Sequence, residues 1–308
     1  MKTFADWHCD TALVLTQGGL HLKGHKGHIS LEILEKYDSP VQVFAVWLPK
    51  EKHENAFNET LKVFDYFKNE VKENSDKIAL AKSYNDILSN KGKASAILGI
   101  EGCEALEGSI EKLHYLYNEG LRVATLTWNY KNCVATGVGE SSLGGGLTDF
   151  GKEAVKEMER LGIVIDVSHL SEEGFYDVVK HTEKPFAASH SNSFSLCPHR
   201  RNLKDEQLKI IGERGGIAGL NMYVEFLTER GEADINDILR HTEHMLKVGG
   251  EDTICFGCDF DGIDMAPKGM EDASKIAGLL DIFEKEFGKD ITYKIAKGNF
   301  MRVMERLI

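Results

Sequence analysis

The sequence predicts an α/β protein built as one (β/α)8 barrel of the TIM type. Eight short apolar runs recur along the 308 residues, most of them alternating with longer amphipathic stretches. That alternation indicates a parallel sheet buried on both faces, and eight is the number of strands that closes a barrel. Residues able to bind metal or move protons cluster at the C-terminal ends of these runs, where barrel enzymes carry their chemistry. The competing open, doubly wound sheet lacks its phosphate fingerprint: "GGGL" at 144–147 has neither the G-x-G-x-x-G spacing nor a strand directly before it.

In chain order, the candidate strands are "FADWHCD" (4–10), "VQVFAVWL" (41–48), "ASAILGIE" (94–101), "RVATLTW" (122–128), "IVIDVSH" (163–169), "FAASHS" (186–191), "GIAGLNMY" (216–223) and "TICFGCDF" (253–260). "IALAKS" reads as a possible further strand outside this set. Helical spacing marks "ENAFNETLKVFDYFKNEVKEN", "GSIEKLHYLYNEG", "FGKEAVKEMERLG", "KDEQLKIIGERG" and "DINDILRHTEHMLKVGG", several of which end in the glycine of a helix C-cap. Thr148 and Asp149 are N-cap candidates for the third of these helices. The closing "MRVMERLI" also reads as a helix. No linker, repeat or low-complexity tract interrupts the pattern, so residues 1–308 are expected to form a single domain.

Hydrophobic residues at 42% and charged residues at 28% are typical of a soluble globular chain. A net charge of −12 argues against nucleic acid as the main partner, because phosphate contacts need clustered Lys and Arg. The six cysteines are scattered, and the one C-x-x-C, Cys255 and Cys258, lies inside an apparent buried strand. Free buried thiols are the expected state. The opening "MKTFADWHCD" has no apolar leader, and no stretch is long and apolar enough to span a membrane. A cytoplasmic protein without a membrane partner is therefore expected.

His8 and Asp10 end the first run, Glu101 the third, His169 the fifth, His190 the sixth and Asp259 the eighth. Each alone has an ordinary structural reading, as a turn, cap or core residue. Together they would converge on one mouth of one barrel. Side chains alternate along a strand, so His8 and Asp10 point the same way and Cys9 points the other. An imidazole beside a carboxylate suits a cation such as zinc. Five ligands (His8, Asp10, Glu101, His169 and His190) exceed the need of one tetrahedral ion, and a two-metal site bridged by Glu101 fits the count.

Other histidines read differently. His21, His25 and His28 in "HLKGHKGH" suggest a mobile, solvated loop or lid over the mouth. His241 and His244 are three apart on a helix, where a metalloprotease H-E-x-x-H needs four. His114 is expected on a helix surface.

Taken together, "WHCDTA", "IEGCEALEGSIEKLHYLYNEGLRV", "GLTDFGKEAVKEMERLGIVIDVSHLS", "SHSNSFSLCPHRRN" and "GCDFDGI" resemble the zinc membrane-dipeptidase (renal dipeptidase) family, nearly end to end. The resemblance implies two zinc ions, one on His8 and Asp10, the other on His169 and His190, with Glu101 between them. It implies that Arg201 holds the substrate's terminal carboxylate and that Asp259 is the acid–base group, with Tyr223 lining the site. Zinc-dependent hydrolysis of free dipeptides, L-D dipeptides among them, is the expected activity, and a homodimer the expected assembly. One departure concerns the end of strand four. Mammalian members have a carbonyl-binding His there, whereas this chain has Trp128 in "TLTWN", beside Asn129. Hydrolysis of an N-acyl amino acid or a lactam on the same two-metal barrel is the alternative enzyme reading. A catalytically weak metal-binding protein is the alternative of another class.

Overall fold

The computed structural model describes residues 2–308. Nine parallel strands form one sheet: β1 (Ala5–Cys9), β2 (Val41–Phe44), β3 (Ile78–Leu80), β4 (Ala94–Glu101), β5 (Leu121–Thr125), β6 (Val164–Asp166), β7 (Ala187–Ala188), β8 (Ile217–Leu220) and β9 (Ile254–Phe256). Eight of them close a barrel in the order β2-β1-β9-β8-β7-β6-β5-β4, with β2 pairing back onto β4. The ninth, β3, pairs with the first residues of β4, and β5 takes over further along, from Leu98. "IALAKS" is thus a strand outside the eight, as its sequence suggested.

Several strands are shorter than their apolar runs. The sixth run extends to Ser191, yet β7 keeps only two residues. His169 (φ 65°) and Asp259 (φ 63°) adopt the left-handed region. That conformation takes the chain out of the ladder, so the segment that delivers the functional side chain cannot remain strand.

The barrel interior is filled by side chains from nearly every strand, among them Trp7, Val43, Ile97, Val123, Val164 and Ile217. Phe300, Val303 and Met304 of the C-terminal helix Asn299–Leu307 join this cluster, and Trp7 lies 4.4 Å from the Phe300 ring. A register shift between Asp6 and Cys9 lets Trp7 fill the interior while Cys9 joins the larger outer core. Burying six large apolar side chains of this kind contributes on the order of 10 kcal/mol of gross hydrophobic stabilisation. Thr148 caps its helix by accepting from the Gly151 N–H, at 2.9 Å. All six cysteines are free, and Cys255 and Cys258 are buried, as expected. No helix among the described residues is long and apolar enough to cross a membrane.

His241 serves structure rather than metal binding. Its Nδ1 accepts from the Ser193 N–H at 3.2 Å, its Nε2 faces the Leu227 carbonyl at 3.1 Å, and burial pushes its pKa down to about 4. The neutral ring is the folded form, whereas the unfolded chain protonates near 6.5. Stability should therefore fall as pH drops below 6.5, by up to roughly 3 kcal/mol at pH 4. Urea titrations across that range should give a shallower pH slope for His241→Gln, whose amide does not titrate. An unchanged slope would remove His241 from the account.

Candidate metal centre

The five candidate ligands meet at the C-terminal mouth of the barrel. Glu101 ends β4, buried, and its two oxygens face two different groups. Oε1 lies 2.8 Å from His169 Nε2 and 3.3 Å from His190 Nε2. Oε2 lies 3.6 Å from His8 Nε2. His8 Nε2 in turn is 3.4 Å from Asp10 Oδ1 and 3.9 Å from Asp259 Oδ1. His8 thus lies beside Asp10 and His169 beside His190, while His8 also packs against His190 with ring centroids 3.9 Å apart, so the cluster is continuous.

The arrangement fits metal. His8 Nε2 and Asp10 Oδ1 are buried and have no hydrogen-bond partner. Two donors on one tetrahedral zinc stand about 3.3 Å apart, given bond lengths of about 2.0–2.1 Å. The separations across this cluster bracket that value. His169 and His190 bring their Nε2 atoms to 3.0 Å, a distance at which two neutral imidazoles would hold a cation between them. Burial lowers the pKa of both, to about 4 for His169 and well below the ordinary histidine range for His190. Burial alone would raise Glu101, but His8 and His169 hold it well below the ordinary carboxylate range.

Two of the three imidazoles are oriented from behind. His169 Nδ1 faces Asn129 Oδ1 at 3.1 Å, and His190 Nδ1 faces Ser189 Oγ at 2.6 Å. Asn129 therefore turns its oxygen to His169. Asp259 is held by Asn221, whose Nδ2 donates to Oδ2 at 2.9 Å. Burial, reinforced by Asp10 and Glu101 against the opposing pull of His8, pushes the Asp259 carboxyl up to about 7. Asn221 is not among the sequence candidates. "GLNMY" carries it at the end of the seventh run, so the strand-end pattern that marks the other residues was present there too.

Two cavities share His169. One, of about 340 Å³, is lined by Asp10, Glu101, Trp128, Tyr223 and Asp259. Trp128 stacks on Trp47 there, with ring centroids 5.2 Å apart and planes 15° from parallel. The other, of about 710 Å³, contains Arg201. Arg201 is 6% exposed, and its Nε and one terminal nitrogen, Nη2, have no partner. Burial lowers its pKa to about 10, against the pull of Glu101, Asp259 and Asp166.

The His21–His28 segment is not the free lid expected. His28 Nδ1 accepts from the Asp261 N–H at 2.8 Å, while Asp261 accepts from the His28 N–H at 2.7 Å and from Thr11 Oγ1 at 2.6 Å. The segment is thereby fastened at its His28 end to the loop that carries Asp259, while His21, Lys23, Gly24 and Lys26 are exposed. His114 is half-exposed on its helix and pairs with Glu157.

A family model for membrane dipeptidases (peptidase family M19) matches residues 2–307. The chain belongs to the membrane dipeptidase family. A metallopeptidase of Rhodobacter sphaeroides, crystallised with a phosphinate mimic of the dipeptide L-Ala-D-Ala, is 26% identical with a TM-score of 0.92, over 100% of this chain and 99% of that one. The metallopeptidase dipeptidase AC is 27% identical with a TM-score of 0.92, over 99% of this chain and 98% of its own. An uncharacterized dipeptidase of Schizosaccharomyces pombe is 38% identical over 198 residues, 62% of this chain. That match spans about half of the yeast protein, 47% of its length. The family match extends over the whole barrel and includes every candidate ligand.

Proposed function

We propose that the protein is a zinc-dependent dipeptidase acting on free dipeptides, with two metal ions per chain bridged by Glu101. The observation that carries the reading is Arg201. A buried guanidinium with open donors lines a cavity that His169 also lines, and His169 faces Glu101. A ligand with a terminal carboxylate one residue from its scissile carbonyl satisfies both features. The R. sphaeroides relative's L-Ala-D-Ala mimic supports a D-residue at the second position.

In this reading His8 and Asp10 hold one ion, His169 and His190 the other. The ions supply Lewis-acid activation of a water molecule and of the scissile carbonyl. Arg201 receives the terminal carboxylate through a bidentate contact, which orients the peptide bond. Asp259 takes the proton of the attacking water and returns it to the departing amine, and Asn221 holds its other oxygen during both transfers. The N-terminal residue then occupies the smaller cavity, against the Trp47–Trp128 stack and Tyr223.

Two results are expected. Chelator-treated protein should keep its circular dichroism spectrum, lose dipeptide hydrolysis and regain it with added zinc. Full activity after verified metal removal would exclude the metal role. Arg201→Ala should lower kcat/KM on free dipeptides by roughly 10–100-fold, chiefly through KM, the range of a lost charge-assisted contact. Carboxyl-amidated dipeptides should be unaffected by the substitution. An equal loss on both substrates would give Arg201 some other role.

A further inference from the structure

We infer that Asp166 and Ser189 are positioning residues that fix His190 as a metal ligand by holding its proton on Nδ1. The inference rests on the reading of His190 as a ligand, and adds what makes it one.

The barrel interior has layers. Val123, Val164 and Ala187 belong to the apolar plug. Two residues further along come Thr125 and Asp166, which end β5 and β6, and Ser189, just past the end of β7, and the candidate ligands lie above them. Four donors converge on Asp166. Thr125 Oγ1 and Ser189 Oγ each reach Oδ2 at 2.5 Å. The Ser168 and Ser189 N–H groups reach Oδ1 at 3.0 and 2.8 Å. The single Ser189 hydroxyl proton is thus directed at Asp166 Oδ2.

Ser189 Oγ then faces His190 Nδ1, 2.6 Å away, with lone pairs only. The ring must place its proton on Nδ1 and leave Nε2 bare. Nε2 is the nitrogen that faces Glu101 Oε1 at 3.3 Å. The direction of one hydroxyl thus sets the tautomer, as partners behind ligating histidines do.

The backbone makes the arrangement rigid. A Cβ at Gly219 or at Gly257 would lie 1.8 or 1.7 Å from the Ser189 carbonyl oxygen. Only glycine at both positions lets that carbonyl project into the barrel. Ser189 is therefore held at its N–H, its hydroxyl and its carbonyl. His169 is served differently, from a loop: its Nδ1 faces the Asn129 amide oxygen at 3.1 Å.

The test reads metal and tautomer without substrate, so a failed dipeptide assay bears on the substrate reading alone. Zinc affinity is measured by competition with a chromophoric chelator. Ser189→Ala should weaken one of two zinc equivalents by about 10–100-fold and spare the other. Ser189→Thr keeps the hydroxyl and should restore most of the loss. Asp166→Asn presents an amide N–H to Ser189 Oγ, turns the hydroxyl toward Nδ1 and should weaken the same equivalent. Nitrogen-15 spectra of the unsubstituted zinc protein should show the His190 proton on Nδ1, a reading that depends on no variant folding. Zinc bound through Nδ1, or equal affinity in Ser189→Ala and wild type, would overturn the inference.

Discussion

Asp259→Asn should lower kcat by about 10²–10⁴-fold, the usual worth of a positioned acid–base group, and leave the fold and both metal ions in place. The substitution is nearly isosteric. Asparagine also tolerates the left-handed backbone that Asp259 adopts at φ 63°, so no strain is added. The amide oxygen can still accept from Asn221, as Oδ2 does now at 2.9 Å. What disappears is the ability to take a proton and return it. In the native residue burial raises the carboxyl to about 7, where both transfers are accessible near neutral pH. Metal analysis separates this role from another that the geometry permits. Asp259 stands with His8 and Asp10 in a group able to hold a cation, and Oδ1 lies 3.9 Å from His8 Nε2. A variant that lost one metal equivalent along with its activity would make Asp259 a ligand. A variant with normal turnover would end the acid–base assignment.

The residues at the barrel mouth were legible in the sequence because the signal is positional. Apolar runs mark strands, strands of a barrel share a direction, and polar residues at their ends must meet. That logic needs no contact information, and it brings His8, Asp10, Glu101, His169, His190 and Asp259 together. It fails one layer lower. Asp166 and Ser189 sit inside apparent apolar runs, in "IVIDVSH" and "FAASHS", where a polar residue reads as an isolated irregularity. Their meaning depends on the hydroxyl–carboxylate distance across β6 and β7, a non-local quantity. Strand lengths failed for a related reason. The runs continue as buried chain after the ladder has ended, and burial alone does not separate a strand from the turn that follows it. The His21–His28 segment looked free because its composition is that of a solvated loop. Its anchor is Asp261, 233 residues away from His28 in sequence.

Glu101→Gln should abolish dipeptide hydrolysis to background and weaken both metal equivalents together. Glu101 divides its oxygens between the groups: Oε1 faces His169 and His190, Oε2 faces His8. Glutamine keeps one oxygen, so one group loses its anion and meets an N–H instead, while the other loses the full negative charge. Two cations held there would need that charge between them. The metal-free fold should survive. Glutamine fills the same volume, although it gives up the attraction of His8 and His169 that holds Glu101 ionised, so the metal-free variant should be less stable than metal-free wild type and each protein is compared with its own metal-free form. Thermal unfolding with and without zinc therefore gives the clearest contrast. Saturating metal at about a thousand times Kd stabilises a protein by about 4 kcal/mol, and wild type should show that increment while Glu101→Gln shows little of it. His8→Ala provides the comparison. It removes a ligand from one group only and should keep one equivalent on His169, His190 and Glu101. If Glu101→Gln also lost a single equivalent, Glu101 would belong to one ion, and the bridge between the two halves of the site would be refuted.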